Sequence, residues 1–181
     1  MNKKVSKRKD VAASAKTKVK TYTSKIHINK EDLERDFYRA DLRLLGVDIK
    51  VPTYEGRVFI NNISANLDTP TDLEHGYVGS YGIFGHSACL GDEGHCDVHT
   101  QRLKFDVIPY RLVPEDISIT ITDKLKSLAR QNSLARQNSE FTVTICPIVC
   151  PPIEERGMEK VDLENVVKIN KVSIELYDKE S

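Results

Sequence analysis

Three of the chain's five histidines and two of its four cysteines fall in one short stretch, HSACLGDEGHCDVH, which runs from His86 to His99. The candidate ligands are His86, Cys89, His95, Cys96 and His99. Thiolate and imidazole are the donors that copper(I) and zinc select, so a soft-metal site is one chemistry this stretch could carry. Its spacing departs from the common zinc patterns of closely paired cysteines and closely paired histidines, and LGDEG between the two halves is a turn holding two carboxylates. Two other readings use the same residues. One is a disulfide hairpin between Cys89 and Cys96. The other is a structural turn in which Gly82, Gly85, Gly91 and Gly94 supply positive φ and the histidines only hydrogen-bond nearby. The structural turn is the expectation for the isolated chain, with weak copper(I) binding as the next outcome.

Other catalytic constellations are less well supplied. The chain has no Gly-x-Ser-x-Gly elbow, no Gly-rich phosphate loop with Lys and Ser or Thr, and no His-Glu-x-x-His. His95 and Cys96 could form a nucleophile pair, yet neighbours on a strand point to opposite faces. Cys146 and Cys150 lie on or just after a run dense in β-branched residues, where an inert buried thiol is expected. A non-enzymatic protein is the resulting expectation.

The elements that must position these residues read as short strands. They are Leu42 to Val51, Gly56 to Ile63, Tyr77 to Phe84, Leu103 to Leu112, Ile117 to Thr122, Phe141 to Val149 and Val166 to Tyr177. In ISITIT the isoleucines 117, 119 and 121 alternate with Ser118, Thr120 and Thr122, the pattern of a half-buried antiparallel strand. In the last run the apolar phase slips at Asn170 and Lys171, which predicts a bulge or two short strands. Seven or so strands separated by Pro, Gly, Asn and Asp predict an all-β fold, an antiparallel sandwich. Helical pattern is confined to an acidic segment, with Asn29 as cap and Glu31 and Asp32 in the first turn, and to DKLKSLARQNSLA. The unit LARQNS occurs twice in tandem between Ser127 and Ser139, and reads as an exposed loop extension.

Charge divides the chain differently. Lys+Arg and Asp+Glu both total 27, so the net charge is zero and nucleic acid or anionic membrane is not favoured as a partner of the whole. From Met1 to Lys25, however, nine basic residues face only Asp10. This stretch has few large apolar side chains to offset its ordering entropy, so residues 1–40 read as a flexible basic arm and linker, and 41–181 as the sandwich domain. No apolar run resembles a signal peptide or a membrane span, which predicts a soluble cytoplasmic protein whose cysteines stay mostly reduced.

Taken together, YEGRVFINNISANLDTP, GYVGSYGIFGHSACLGDEGHCDV, KFDV and ISITITDKL resemble the β-rich C-terminal domain that follows the copper domain in some tyrosinases and polyphenol oxidases, plant members of which carry a KFDV run. The resemblance covers about Asp41 to Leu125 and extends toward Tyr177. It implies a β-sandwich that packs over a binuclear copper site in a partner protein, a tyrosinase-like copper oxidase. That copper site uses six histidines on a helical bundle, whereas this chain has five and no helical pairs. The implied role is therefore that of an accessory, non-catalytic interaction module. A small copper or zinc carrier using His86, Cys89, His95, Cys96 and His99 is the alternative.

Overall fold

The computed structural model describes residues 19–86, 113–132, 140–149 and 164–178. These form seven strands and two helices: β1 (Tyr22–His27), α1 (Lys30–Glu34), β2 (Arg39–Val47), β3 (Tyr54–Ile60), β4 (Tyr77–Ile83), β5 (Glu115–Thr120), α2 (Thr122–Asn132), β6 (Glu140–Val149) and β7 (Ile169–Tyr177). All pairings are antiparallel. One sheet has the order β1-β6-β3-β4 and the other β5-β2-β7. The all-β sandwich expected from the alternating runs is the fold observed.

Its interior is supplied by one face of each sheet. Val58, Ile60, Phe141, Val143 and Ile145 from the first sheet meet Ala40, Leu42, Leu44 and Ile119 from the second in one buried cluster. Leu125 and Leu128 of α2 close one side of it. Each fully buried aliphatic side chain here is worth about 1.5–3 kcal/mol relative to solvent exposure, so the interface between the sheets is the main source of stability.

Several expectations are corrected. Residues 22–25, assigned to the flexible arm, belong to β1, which pairs with β6 from Tyr22↔Ile145 to His27↔Glu140. Tyr22, Ser24 and Ile26 alternate inward while Thr23, Lys25 and His27 face solvent, and Glu140 binds both Lys25 (2.8 Å) and His27 (3.3 Å). The period-two signal was present but lay inside a run of lysines. The predicted strand Leu103 to Leu112 lies outside the described residues. The first LARQNS copy is not a loop: α2 extends through it to Asn132, with Leu128 buried, while residues 133–139 lie outside the described residues. Asn29 does precede α1, but its amide reaches the Asp32 carboxylate (3.4 Å) and its side chain caps no backbone group.

The phase slip in the last run also resolves differently. β7 keeps a single register with β2 throughout, Val47↔Ile169 to Arg39↔Tyr177. The irregularity lies on the other edge of β2, between its Leu44 and Val47 pairings with β5. Gly46 sits there at φ 64, and a Cβ at that position would collide with the Asn170 side chain. Both β2 and β7 thus change inward face at the same level, so Val47 and Ile169 reach the core from beyond the bend.

Candidate interaction surface

The segment between β3 and β4, Asn61 to Gly76, is polar by composition and has no apolar periodicity, yet hydrogen bonds specify it closely. Its ends are joined by the Ile60 amide donating to the Gly76 carbonyl (2.8 Å). Asn61 takes a left-handed conformation, φ 56, which Asn tolerates better than most residues. From there its amide donates to the Thr142 carbonyl (2.7 Å) and its side-chain oxygen accepts from the Thr142 amide (3.0 Å), so the loop extends the β6 ladder by one exchange. Asn62 donates across the loop to the His75 carbonyl (2.7 Å) and accepts from the Ser64 hydroxyl (3.1 Å). Asn66 accepts from the Asp68 amide (2.8 Å), and the Thr69 hydroxyl accepts from the Asn66 amide (2.9 Å). Asp72 accepts from the His75 amide (2.9 Å) and contacts its ring nitrogen (2.7 Å). These bonds from His75 hold the Asp72 carboxyl below its ordinary range.

Two cations from outside the loop complete it. Lys124 of α2 donates to the Leu73 carbonyl (2.6 Å) and Arg57 of β3 to the Leu67 carbonyl (3.4 Å). Beneath the loop, Ala65 is buried against Phe59 and Cys146, with Tyr77 packed alongside. Phe59 faces away from the main core, between the core-facing Val58 and Ile60. Tyr77 joins it because the β3–β4 register shifts between Val58 and Phe59, so Tyr77 and Tyr81 point to opposite sides of the sheet. Such a closed loop of this length, packed on its own small core, behaves as a preorganised unit.

What this unit presents is apolar. Ile63 is 71% exposed, Leu67 51% and Leu73 56%. A lone exposed Leu is ordinary, but three exposed aliphatic side chains on one hydrogen-bonded loop make it the candidate interaction surface. Beside it, Leu73 and Val78 with Thr120, Ile121, Thr122, Asp123 and Lys124 line a shallow open groove. Asn61 to Ile63, expected to continue the strand from Gly56, instead open this loop, since β3 ends at Ile60. The available signal was three aliphatic residues at no helical or strand period among Asn, Ser, Thr, Asp and Pro.

Of the predicted ligand set only His86 is among the described residues. Cys89, His95, Cys96 and His99 lie outside them, as does Cys150, and the described residues hold no group of three or more His, Cys, Asp or Glu placed to bind a metal. The His86 amide donates to the Ile49 carbonyl (2.7 Å), and its ring meets that of Phe84 edge-on, centroids 5.8 Å apart. The glycines before it do not supply positive φ as the turn reading required: Gly82 lies in β4, and neither it nor Gly85 has positive φ. Gly85 is instead required for close approach, because a Cβ there would collide with the Val51 carbonyl. Cys146 is buried, and burial pushes its thiol up, the expected inert state. No helix among the described residues is long and apolar enough to cross a membrane.

No family model matches the chain, and no curated protein matches it in sequence. Among solved structures it is similar to a recombinantly expressed latent aurone synthase (polyphenol oxidase), at 12% identity and a TM-score of 0.46, over 89% of this chain and 25% of that one. It is also similar to latent aurone synthase (polyphenol oxidase) from natural source, at 12% identity and a TM-score of 0.44, over 89% and 25% of the two chains. The chain therefore spans about a quarter of the length of these enzymes. Likeness at this level establishes neither a shared family nor a shared activity.

Proposed function

We propose that this chain is a non-catalytic interaction module that packs on a partner protein through the Asn61–Gly76 loop. The observation that carries the reading is a loop held by hydrogen bonds at both ends and across its middle that exposes Ile63, Leu67 and Leu73. A preorganised surface pays little ordering entropy on association, which is what a docking element requires. The sequence likeness of 54–70, 76–98 and the following runs to the β-rich domain of tyrosinase-like oxidases supports a copper oxidase as the partner class.

The test mixes the purified full chain with the separately purified catalytic domain of a tyrosinase-like oxidase. Co-elution in size-exclusion chromatography, with altered diphenol oxidation by the oxidase, is the expected result. Failure to associate at micromolar concentrations rejects that partner class. Diphenol oxidation by the copper-treated chain alone would show that the module is itself an enzyme. Tight stoichiometric copper or zinc in the freshly purified chain would replace this reading with that of a metal carrier using the His86 to His99 stretch.

A further inference from the structure

Ala65 is the one side chain of the β3–β4 loop that is buried, in the small cluster with Phe59 and Cys146. The larger aliphatic side chains Ile63, Leu67 and Leu73 are exposed. Residues 62–75 are otherwise tied to the sandwich by two bonds at the surface, from Arg57 to the Leu67 carbonyl (3.4 Å) and from Lys124 to the Leu73 carbonyl (2.6 Å). Bonds such as Asn62 to the His75 carbonyl and the His75 amide to Asp72 run within the stretch and do not depend on its touching the sheet. The ends are held differently. There Ile60 bonds Gly76, and Asn61 exchanges two bonds with Thr142 of β6.

Apolar burial holds an element in place in proportion to the area removed from water, and one methyl group removes little. A stretch that is bonded internally, stapled at both ends and weakly anchored between them opens before the rest of the fold. Two groups on the outer face of β6 respond to such opening. Cys146 is fully buried and stands opposite Arg57 of β3 in the ladder. Burial holds its thiol up and the Arg57 charge acts against this, so loss of the cover leaves the influence that favours thiolate. Thr144 projects from the same face, opposite Phe59, fully buried and with a hydroxyl that has no hydrogen-bond partner. Water admitted beside Phe59 supplies that partner, which favours opening.

We infer that residues 62–75 lift from the sheet as one body, hinged at Asn61 and Gly76, while the sandwich stays folded, and that this exposes Cys146 as a site of reversible thiolation. In that step the Cys146 thiol loses its proton to solvent and the thiolate attacks one sulfur of a small-molecule disulfide, oxidised glutathione being the probe. A mixed disulfide forms and the other half leaves as thiolate. The adduct has no room beneath Ala65, against which Cys146 is packed, so it holds the loop open until a free thiol removes it. The inference concerns the chain alone and is independent of which partner meets the loop.

The test treats the full native chain with excess iodoacetamide and follows Cys146 by peptide mass spectrometry, with fragment ions separating it from Cys150. Labelling should run at least about tenfold faster than global unfolding allows, and should change little with urea below the unfolding transition. Lys124→Met removes one tie and leaves Arg57 beside the thiol, so it should speed labelling about threefold or more. Asp41→Ala weakens the opposite sheet and should leave the labelling rate unchanged. With oxidised glutathione, Cys146 should gain one adduct, and chymotrypsin should then cut after Leu67 or Leu73 at least about tenfold faster until dithiothreitol restores resistance. Labelling only at the rate of global unfolding, or labelling that Asp41→Ala speeds in proportion to the stability it loses, overturns the inference. So does a Lys124→Met chain that labels no faster, a Cys146 that takes no adduct, or an adduct that leaves cleavage of the loop unchanged.

Discussion

On the outer face of the β1-β6-β3-β4 sheet, Phe59 and Cys146 are fully buried beneath Ala65 of the loop, whereas on the outer face of the β5-β2-β7 sheet the central buried side chain is a carboxylate, Asp41. Arg39 covers Asp41 with two charge-assisted bonds, Nε to Oδ1 and Nη2 to Oδ2, both 2.8 Å, and Thr120 and Ser118 add hydroxyl bonds from β5. The first face is covered by a loop, and that loop is the surface proposed to meet a partner. The second face is finished by its own side chains. It has no need of a lid, and its order stabilises the sheet alone. One sandwich thus closes its two outer faces by different means, one with a separate loop and the other with side chains of its own strands.

The sharpest way to break this contrast is to remove the lid's support. Phe59→Ala takes a fully buried ring out of the small cluster under Ala65, and the loss should be about 3–5 kcal/mol of unfolding free energy by urea titration. The loop should lose hydrogen-exchange protection at Asn61 and Ile60 beyond what global destabilisation accounts for. A change confined to global stability, with the loop's relative protection intact, would show that the loop is held by its hydrogen bonds alone.

On the solvated face the corresponding change is Asp41→Ala, which strips partners from Arg39, Ser118 and Thr120. About 1–3 kcal/mol is expected, the range for a side chain bonded to a charged group. Burial pushes the Asp41 carboxyl up, but the bonds from Arg39, Thr120 and Ser118 and the Arg39 charge outweigh it and leave it below its ordinary value. Because the folded value is the lower one, this stabilisation is present above the unfolded value near 3.8 and is lost as pH falls through the depressed folded value. Acid titration of the native chain should show that loss and the Asp41→Ala chain should lack it. Identical acid profiles would mean that Arg39 and Asp41 are a surface pair of no consequence.

These two faces were not equally readable in the sequence. The inward residues were: Ile117, Ile119 and Ile121 alternate with hydroxylated residues, and six of the seven observed strands overlap predicted ones that share most of their residues. Strand β1 was hidden because Lys20 and Lys25 bracket Tyr22 and Ser24, and charge density outweighed an alternation of only three residues. The first LARQNS copy drew two readings, helical pattern through DKLKSLARQNSLA and an exposed loop extension from the tandem repeat, and the packing of Leu125 and Leu128 at helical spacing decides for the helix. The interaction loop was hidden for a deeper reason: its order comes from Asn, Ser and Asp side chains bonding backbone groups, which leaves no periodic trace. The proposed ligand set was legible as a list of donors, but spacing alone does not bring donors together.

Between the two faces lies an interior pair from neighbouring strands β3 and β4, and it gives the smallest of the expected effects. Tyr54 and Tyr81 are buried with their hydroxyls 3.2 Å apart and their rings edge-on, centroids at 5.8 Å. The two hydroxyls bond each other, so Tyr54→Phe or Tyr81→Phe should leave one buried hydroxyl without that bond and cost about 1 kcal/mol. Changing both to Phe keeps ring shape and removes both polar groups, so the double variant should lose less than the sum of the singles. Burial pushes Tyr54 up to about 12, and Tyr81 is raised further, by burial first and by the Tyr54 hydroxyl second. The folded values exceed the unfolded value near 10, so the stabilisation is complete below pH 10 and is lost as pH rises through the folded values. In the native chain, part of the tyrosinate absorbance should therefore appear together with alkaline unfolding, and in the double Phe variant the alkaline midpoint should move upward. Additive costs in the two singles and the double, with an unchanged alkaline midpoint, would show that the two hydroxyls do not depend on one another.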